Sequence, residues 1–312
     1  MYLMCKDKYV YDIENDIVAC KELLPGLMCR NPCVQSFEYW VGTRRAENPF
    51  ADYIAERKYH TRDWQELDIK TRMSSLSDCY WLKEYDEPVF FKDISPYYHS
   101  ERSAVASLYV NGVIRKEWKN GVLRKYGKQG ENEHKALELC AKLGVSVAKS
   151  TYTVETCSSY DVLSNKVVDT TRPILRLVNF TTPDMMLEQA NQTGRFNSYT
   201  FNVSDIFNYL GIGYGIVMLC IDAIVGNGDR HAGNFGWLRS SDTGKYLYPA
   251  PLYDFDHVLE DARGYLLADF LKAIKYCNLD TSMQVYNLLQ NVQEIDTLTE
   301  FKDRAKLLLS KM

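Results

Sequence analysis

The stretch from Ile224 to His257, IVGNGDRHAGNFGWLRSSDTGKYLYPAPLYDFDH, constrains this chain more than any other. An apolar run breaks there into a Gly/Asn-rich segment that carries Asp229, then Asn234 five residues on, then Asp254 twenty residues later. Phe235–Leu238 and Tyr246–Tyr248 read as two strands about the turn Ser241-Asp242-Thr243-Gly244. A hairpin of that size returns the chain to its starting point, so Asp254 is expected to face Asn234 across a small space. Two acids and an amide around an open side suit Mg²⁺ and a hydroxyl nucleophile. Phosphoryl transfer asks the protein for that arrangement, because its work there is positioning and charge neutralisation.

The rest of the composition narrows the classes. With 312 residues the chain has ample length for a sizeable core, and 46% apolar and 25% charged residues are ordinary for a globular protein. A net charge of −4 gives no basic footprint, so nucleic acid is not expected as a direct partner. The nine cysteines include no CxxC pair, and Cys140 and Cys220 sit inside apolar runs. That is the usage of small buried hydrophobes in a reducing compartment, and it predicts a cytoplasmic chain. Cys20, Cys29 and Cys33 match no standard zinc spacing. The first residues show no secretory signal, and the longest apolar run, Ile216–Val225, is about half a membrane span and carries Asp222. It predicts a buried helix and no membrane association.

Three blocks follow from the pattern. Residues 1–98 form an accessory segment with helices near Phe37, near Ala51–Lys58 and over Asp63–Met73. Cys79–Leu82 and Pro88–Phe91 read as short strands or a tight packing patch, and the aromatics here are expected in the core.

Residues 99–180 read as a small antiparallel β lobe. Asn111-Gly112 and Asn120-Gly121 are type I′ turn signals that divide AVASLYV, VIRKEW and VLRKYGK into three strands. A helix is predicted from about Glu131 to a stop at Gly144, with Glu133 in its first turn. Glu133 at that distance from Lys125 suits an ion pair that aims the lysine at nucleotide phosphates; as an early acid it also favours the helix dipole. Strands at Thr151–Val154 and Pro173–Val178 lead to a break at Asn179–Pro183, a hinge whose backbone groups suit a flat ligand such as adenine.

Residues 181–312 are predicted as mainly helical: MMLEQANQ, then IFNYLGIGYGIVMLCIDAIV behind a Ser204-Asp205 cap, then three amphipathic helices to the end. The glycines at 211, 213 and 215 are placed to kink or divide the long apolar helix.

The order strand lysine, helix glutamate, hinge, long helix, GDRHxxNF (from Gly228), hairpin and PLYDFD (from Pro251) resembles the HipA-like Ser/Thr kinases, over about residues 99–270. Gly228–Asn234 is also similar to the catalytic loop of phosphoinositide kinases, and its interval matches the D-x-x-x-x-N of protein kinases. The resemblance implies an α+β, two-lobed, protein-kinase-like fold and an ATP- and Mg²⁺-dependent enzyme acting on a Ser or Thr of a protein. It implies Asp229 as the catalytic aspartate, with Arg230 and His231 shaping the loop, and Asn234 and Asp254 as Mg²⁺ ligands. Lys125 is implied on the α/β-phosphates with Glu133 as its partner, and Leu177, Val178 and Asn179 beside the adenine. Lys128 is the alternative to Lys125.

The chain departs from the kinase pattern in lacking G-x-G-x-x-G; Gly112 and Lys116 are the candidates for the phosphate-covering turn. The toxin–antitoxin setting of the family implies an inhibitory partner protein. Two other readings stay open, a kinase of a small molecule or lipid headgroup and a nucleotide-binding pseudokinase.

Overall fold

The computed structural model describes residues 1–112, 114–127, 129–161, 166–196, 201–259 and 265–312. The chain opens with β1 (Tyr2–Cys5), β2 (Lys8–Asp12) and β3 (Ile17–Val18). Helices α1 (Val34–Arg44), α2 (Pro49–Ile54) and α3 (Trp64–Thr71) precede β4 (Tyr80–Lys83), and α4 (Phe91–Ile94) and α5 (Ser103–Ser107) follow it. Asn48 starts α2 by accepting the N–H groups of Phe50 and Ala51, with Pro49 at the first helical position.

Next come β5 (Lys116–Lys119), β6 (Val122–Tyr126), α6 (Gln129–Lys142), β7 (Ser150–Asp161), β8 (Lys166–Val178) and β9 (Met185–Gln189). Asn120 and Gly121 turn β5 into β6 with φ of 52° and 72°, the left-handed pair of a type I′ hairpin. Then α7 (Val203–Leu210) and α8 (Ile212–Val225) are separated at Gly211, and α8 stops at Gly226, φ 68°. The hairpin β10 (Gly236–Ser240) and β11 (Tyr246–Pro249) and helices α9 (Tyr265–Ile274), α10 (Leu279–Glu294) and α11 (Lys302–Leu309) complete the chain.

Three expectations are corrected. AVASLYV is not a strand, because Ser103–Ser107 is helical, so Asn111-Gly112 is not a hairpin turn. MMLEQANQ is not a helix: its first five residues pair along β10, from Met185 opposite Ser240 to Gln189 opposite Gly236, and the ladder outweighs helix propensity. Pro88–Phe90 carry no regular structure, and Phe91 opens α4.

The chain divides into two compact units. The first takes residues 1–125, 176–197 and 236–250. It holds the sheet β3-β2-β1-β4, the sheet β11-β10-β9 and the β5–β6 hairpin. Trp40, Trp81, Tyr11, Leu3 and Met28 are buried in one continuous core, as expected of the aromatics in residues 1–98. Each large side chain removed from water there contributes roughly 1.5–3 kcal/mol.

The second unit takes residues 126–175, 198–235 and 251–312. Helix α8 is its centre, fully burying Ile216, Met218, Cys220, Ile221, Ile224 and Val225 and packing against α7, α9, α10 and α11. Among the described residues, no helix is long and apolar enough to cross a membrane.

Candidate functional site

The loop after α8 is built around Arg230. Its Nε and Nη2 donate to Asp222 Oδ2 and Oδ1 at 2.9 and 2.8 Å, and both side chains are almost completely buried. Nη1 donates to the carbonyls of Asn234 (2.7 Å) and Tyr253 (2.9 Å). One guanidinium nitrogen therefore joins the backbone of Asn234 to that of the residue preceding Asp254. Burial opposes the charge on Arg230, but the Asp222 carboxylate outweighs it and holds the guanidinium pKa above its ordinary value. The guanidinium also lies over the Phe255 ring, 4.8 Å from its centroid.

Around that centre the predicted residues assemble. Asn234 Nδ2 donates to the Asp229 carbonyl at 3.1 Å, and because a carbonyl only accepts, Oδ1 is the end of the amide turned the other way. The Asp229 carboxylate is 42% exposed, with His231 Nε2 at 3.9 Å and His257 Nε2 at 3.7 Å from its Oδ2. His231 Nδ1 accepts the Gly233 N–H at 3.0 Å, which places the proton of the neutral ring on Nε2, the nitrogen nearer Asp229. The Gly228 N–H donates to the His257 carbonyl at 3.3 Å, a second link between the loop and the segment after the hairpin.

Asp254 has φ 62°, a left-handed conformation rare outside glycine and best tolerated by Asn and Asp. It flanks the buried Phe255 together with Asp256. Carboxylate oxygens of Asp254, Asp256 and the buried Glu133, from the first half of α6, all lie within 4.8 Å of one another. Among the described residues this is the single group of His, Cys, Asp or Glu able to hold a metal ion. Three carboxylates are hard oxygen donors of the kind Mg²⁺ takes, and Arg230 ties the backbone of Asn234, which carries a further amide oxygen, to that of Tyr253 beside Asp254. Reading the sequence missed Asp256 and His257, although both stand in YDFDH, and gave Asp222 no role beyond its place in a buried helix. It also read Glu133 as a partner of Lys125 or an early acid of its helix, not as a member of the carboxylate group.

Of the predicted nucleotide residues, Gly112, Lys116, Lys125, Leu177, Val178 and Asn179 belong to the first unit and Glu133 to the second. Lys116 and Lys125 stand directly opposite each other across β5 and β6, 5% and 3% exposed. Lys116 Nζ donates to the Asn111 carbonyl at 3.0 Å, and a Cβ on Gly112 (φ +121°) would stand 2.6 Å from that nitrogen, so glycine makes room for the ammonium. Leu177 is buried and Val178 exposed. The Asn179 N–H is committed to the Gly121 carbonyl at 3.2 Å, and its side chain to Leu76 and Thr181. Asn179 also lines a cavity of about 420 Å³ with Tyr97, Tyr98 and Thr181. Lys128 lies outside the described residues.

No protein-family model matches the chain, and no curated protein does. Solved structures do. The chain resembles HipA from the toxin–antitoxin complex of Shewanella oneidensis MR-1 with HipB and operator DNA, at 12% identity and a TM-score of 0.57, covering 99% of this chain and 96% of that one. A match to the Helicobacter pylori proinflammatory kinase CtkA has 17% identity and a TM-score of 0.37 and covers 64% of this chain and 92% of that one. At such identity the likeness to HipA is one of fold. The chain has a HipA-like fold of mixed α/β class with antiparallel sheets.

Proposed function

We propose that this chain is an ATP- and Mg²⁺-dependent phosphotransferase, a HipA-like Ser/Thr protein kinase that moves the γ-phosphoryl group of ATP to a protein hydroxyl. One observation carries the reading: carboxylates of Asp254, Asp256 and Glu133 converge beside a loop that Arg230 ties to them. Like-charged carboxylates at that spacing are stabilised by a cation.

In this reading Asp254 and Asn234 hold Mg²⁺, and Asp256 and Glu133 supply the remaining negative field. Held there, Mg²⁺ would supply charge neutralisation for the transferring group. Asp229, exposed beside them, orients the substrate hydroxyl and accepts its proton. His231 and His257 keep that carboxylate in place. Lys125 serves the phosphates, with Lys116 and Gly112 beside it, and residues 177–179 serve the adenine. With the Asn179 N–H already used, contact there runs through its carbonyl or through Leu177. By function, 99–180 is the nucleotide-binding part, 181–312 the catalytic part and 1–98 the accessory part. A partner protein that restrains the enzyme fits the toxin–antitoxin context of the HipA complex.

The test is transfer of labelled phosphate from ATP to the protein itself or to added proteins. Wild type is expected to transfer label in Mg²⁺, and Asp229→Asn and Asp254→Asn to lose it. Tight ATP binding with no transfer by wild type would instead point to a pseudokinase.

A further inference from the structure

The hairpin β10–β11 is the covalent link between Asn234 and Asp254. Its base is closed by the Ala250 N–H on the Gly236 carbonyl at 2.9 Å, and its full inner edge is paired to β9. The N-terminal segment grips it at two places.

The first grip is Arg239, on β10 and almost completely buried. Nε donates to the Gly244 carbonyl (3.0 Å), Nη2 to that of Glu22 (3.1 Å), and Nη1 to that of Leu24 (3.2 Å) and to Glu188 Oε1. The other oxygen of Glu188 accepts the Tyr246 hydroxyl, and the Tyr246 ring lies under the guanidinium. One side chain thus ties residues 22–24 to β9, to β10 and to the turn between β10 and β11. The fit leaves no slack: a Cβ on Gly244 would stand 1.7 Å from the Glu22 carbonyl oxygen, and one on Gly236 would stand 2.1 Å from that of Glu188. The second grip is at the hairpin's tip. Lys6 Nζ bridges Asp184 and Asp242 at 2.8 and 2.9 Å, and Lys8 Nζ donates to the Asp242 carbonyl at 2.6 Å.

We infer that Arg239 and the segment from Lys6 to Leu24 are positioning elements of the metal site, acting through the hairpin that carries Asn234 at one end and Asp254 beyond the other. This rests on the reading of Asn234 and Asp254 as Mg²⁺ ligands. A ligand pair joined by a clamped linker has fewer arrangements to lose when it closes on an ion, so affinity falls when the clamp is loosened. The accessory residues are then part of the catalytic apparatus rather than an appendage to it.

The experiment is titration of the full chain with Mn²⁺ alone, followed by the loss of the free-ion paramagnetic resonance signal. It is run well below the melting midpoint on variants whose near-ultraviolet dichroism matches wild type. Arg239→Lys keeps the charge and loses the fork, and is expected to weaken Mn²⁺ about tenfold, the usual scale for a residue that supports metal ligands. Lys6→Ala combined with Lys8→Ala, at the more exposed grip, is expected to weaken it about threefold. Should Arg239→Lys fail to fold, the double variant decides. Wild-type affinity in the folded variants overturns the inference while leaving the proposed function standing. Wild type that takes up no Mn²⁺, or an Asp254→Asn variant that binds it equally well, removes the metal-site reading and the inference with it.

Discussion

Arg230 and Asp222 form a two-pronged ion pair at the end of α8, eight residues apart and both buried. The same guanidinium holds the Asn234 and Tyr253 carbonyls, so fold stability and site geometry share one side chain. Asp222→Asn leaves the guanidinium buried without a counter-charge. It is expected to lower unfolding free energy by about 3–5 kcal/mol. Urea unfolding followed by fluorescence checks this; a loss under about 1 kcal/mol would mean the pair is solvated in solution.

Asp254 separates stability from binding. Asparagine tolerates the same left-handed backbone, and the substitution removes one of three clustered negative charges. Asp254→Asn is therefore expected to melt at or above the wild-type temperature without metal. Saturating Mn²⁺ should raise the wild-type midpoint and leave that of the variant nearly unchanged. A scanning-calorimetry pair with and without metal gives both answers.

Acid stability has a local source in Asp12. Burial pushes its pKa up, but the Tyr85 hydroxyl, the Asn15 amide and the N–H groups of Asn15 and Glu14 outweigh this and hold it at about 2, below the model-peptide value of 3.8. A depressed carboxylate pKa contributes stability that is fully present above about pH 4 and is lost as pH falls towards 2. Asp12→Asn should destabilise the protein at pH 7 and converge with wild type near pH 2. Parallel stability curves at the two pH values would refute the assignment.

The thiols should divide by environment. Burial pushes Cys5 up to about 12 and raises Cys140 and Cys220 as well, whereas hydrogen bonding by Ser36 lowers Cys33, which precedes α1. Brief iodoacetamide treatment at neutral pH, read by peptide mass, should label Cys33 ahead of those three. Equal labelling of Cys140 in the folded protein would contradict its burial.

What the sequence revealed follows the range of the interactions involved. The Asn120-Gly121 turn and the Gly144 stop are local chemistry and stand as the residues suggest, and over the short interval from Asp229 to Asn234 the Asn234 Nδ2 reaches the Asp229 carbonyl. The β9 strand was hidden because its pairing with β10 is decided some fifty residues away. Asp222, Asp256 and His257 were not singled out because their roles exist only once the fold brings Arg230, Glu133 and Asp229 to them in turn. The helix in AVASLYV lost to a strand reading because β-branched and aromatic residues flank a short Ser/Ala core.

The most direct test of the metal centre is a crystal soaked with Mn²⁺ and a non-hydrolysable ATP analogue, with the ion located by its anomalous signal. The account predicts a peak bound by an Asp254 carboxylate oxygen and Asn234 Oδ1, with the Asp229 carboxylate facing the terminal phosphate. A nucleotide-bound ion held by other residues, or none at saturating Mn²⁺, would contradict it.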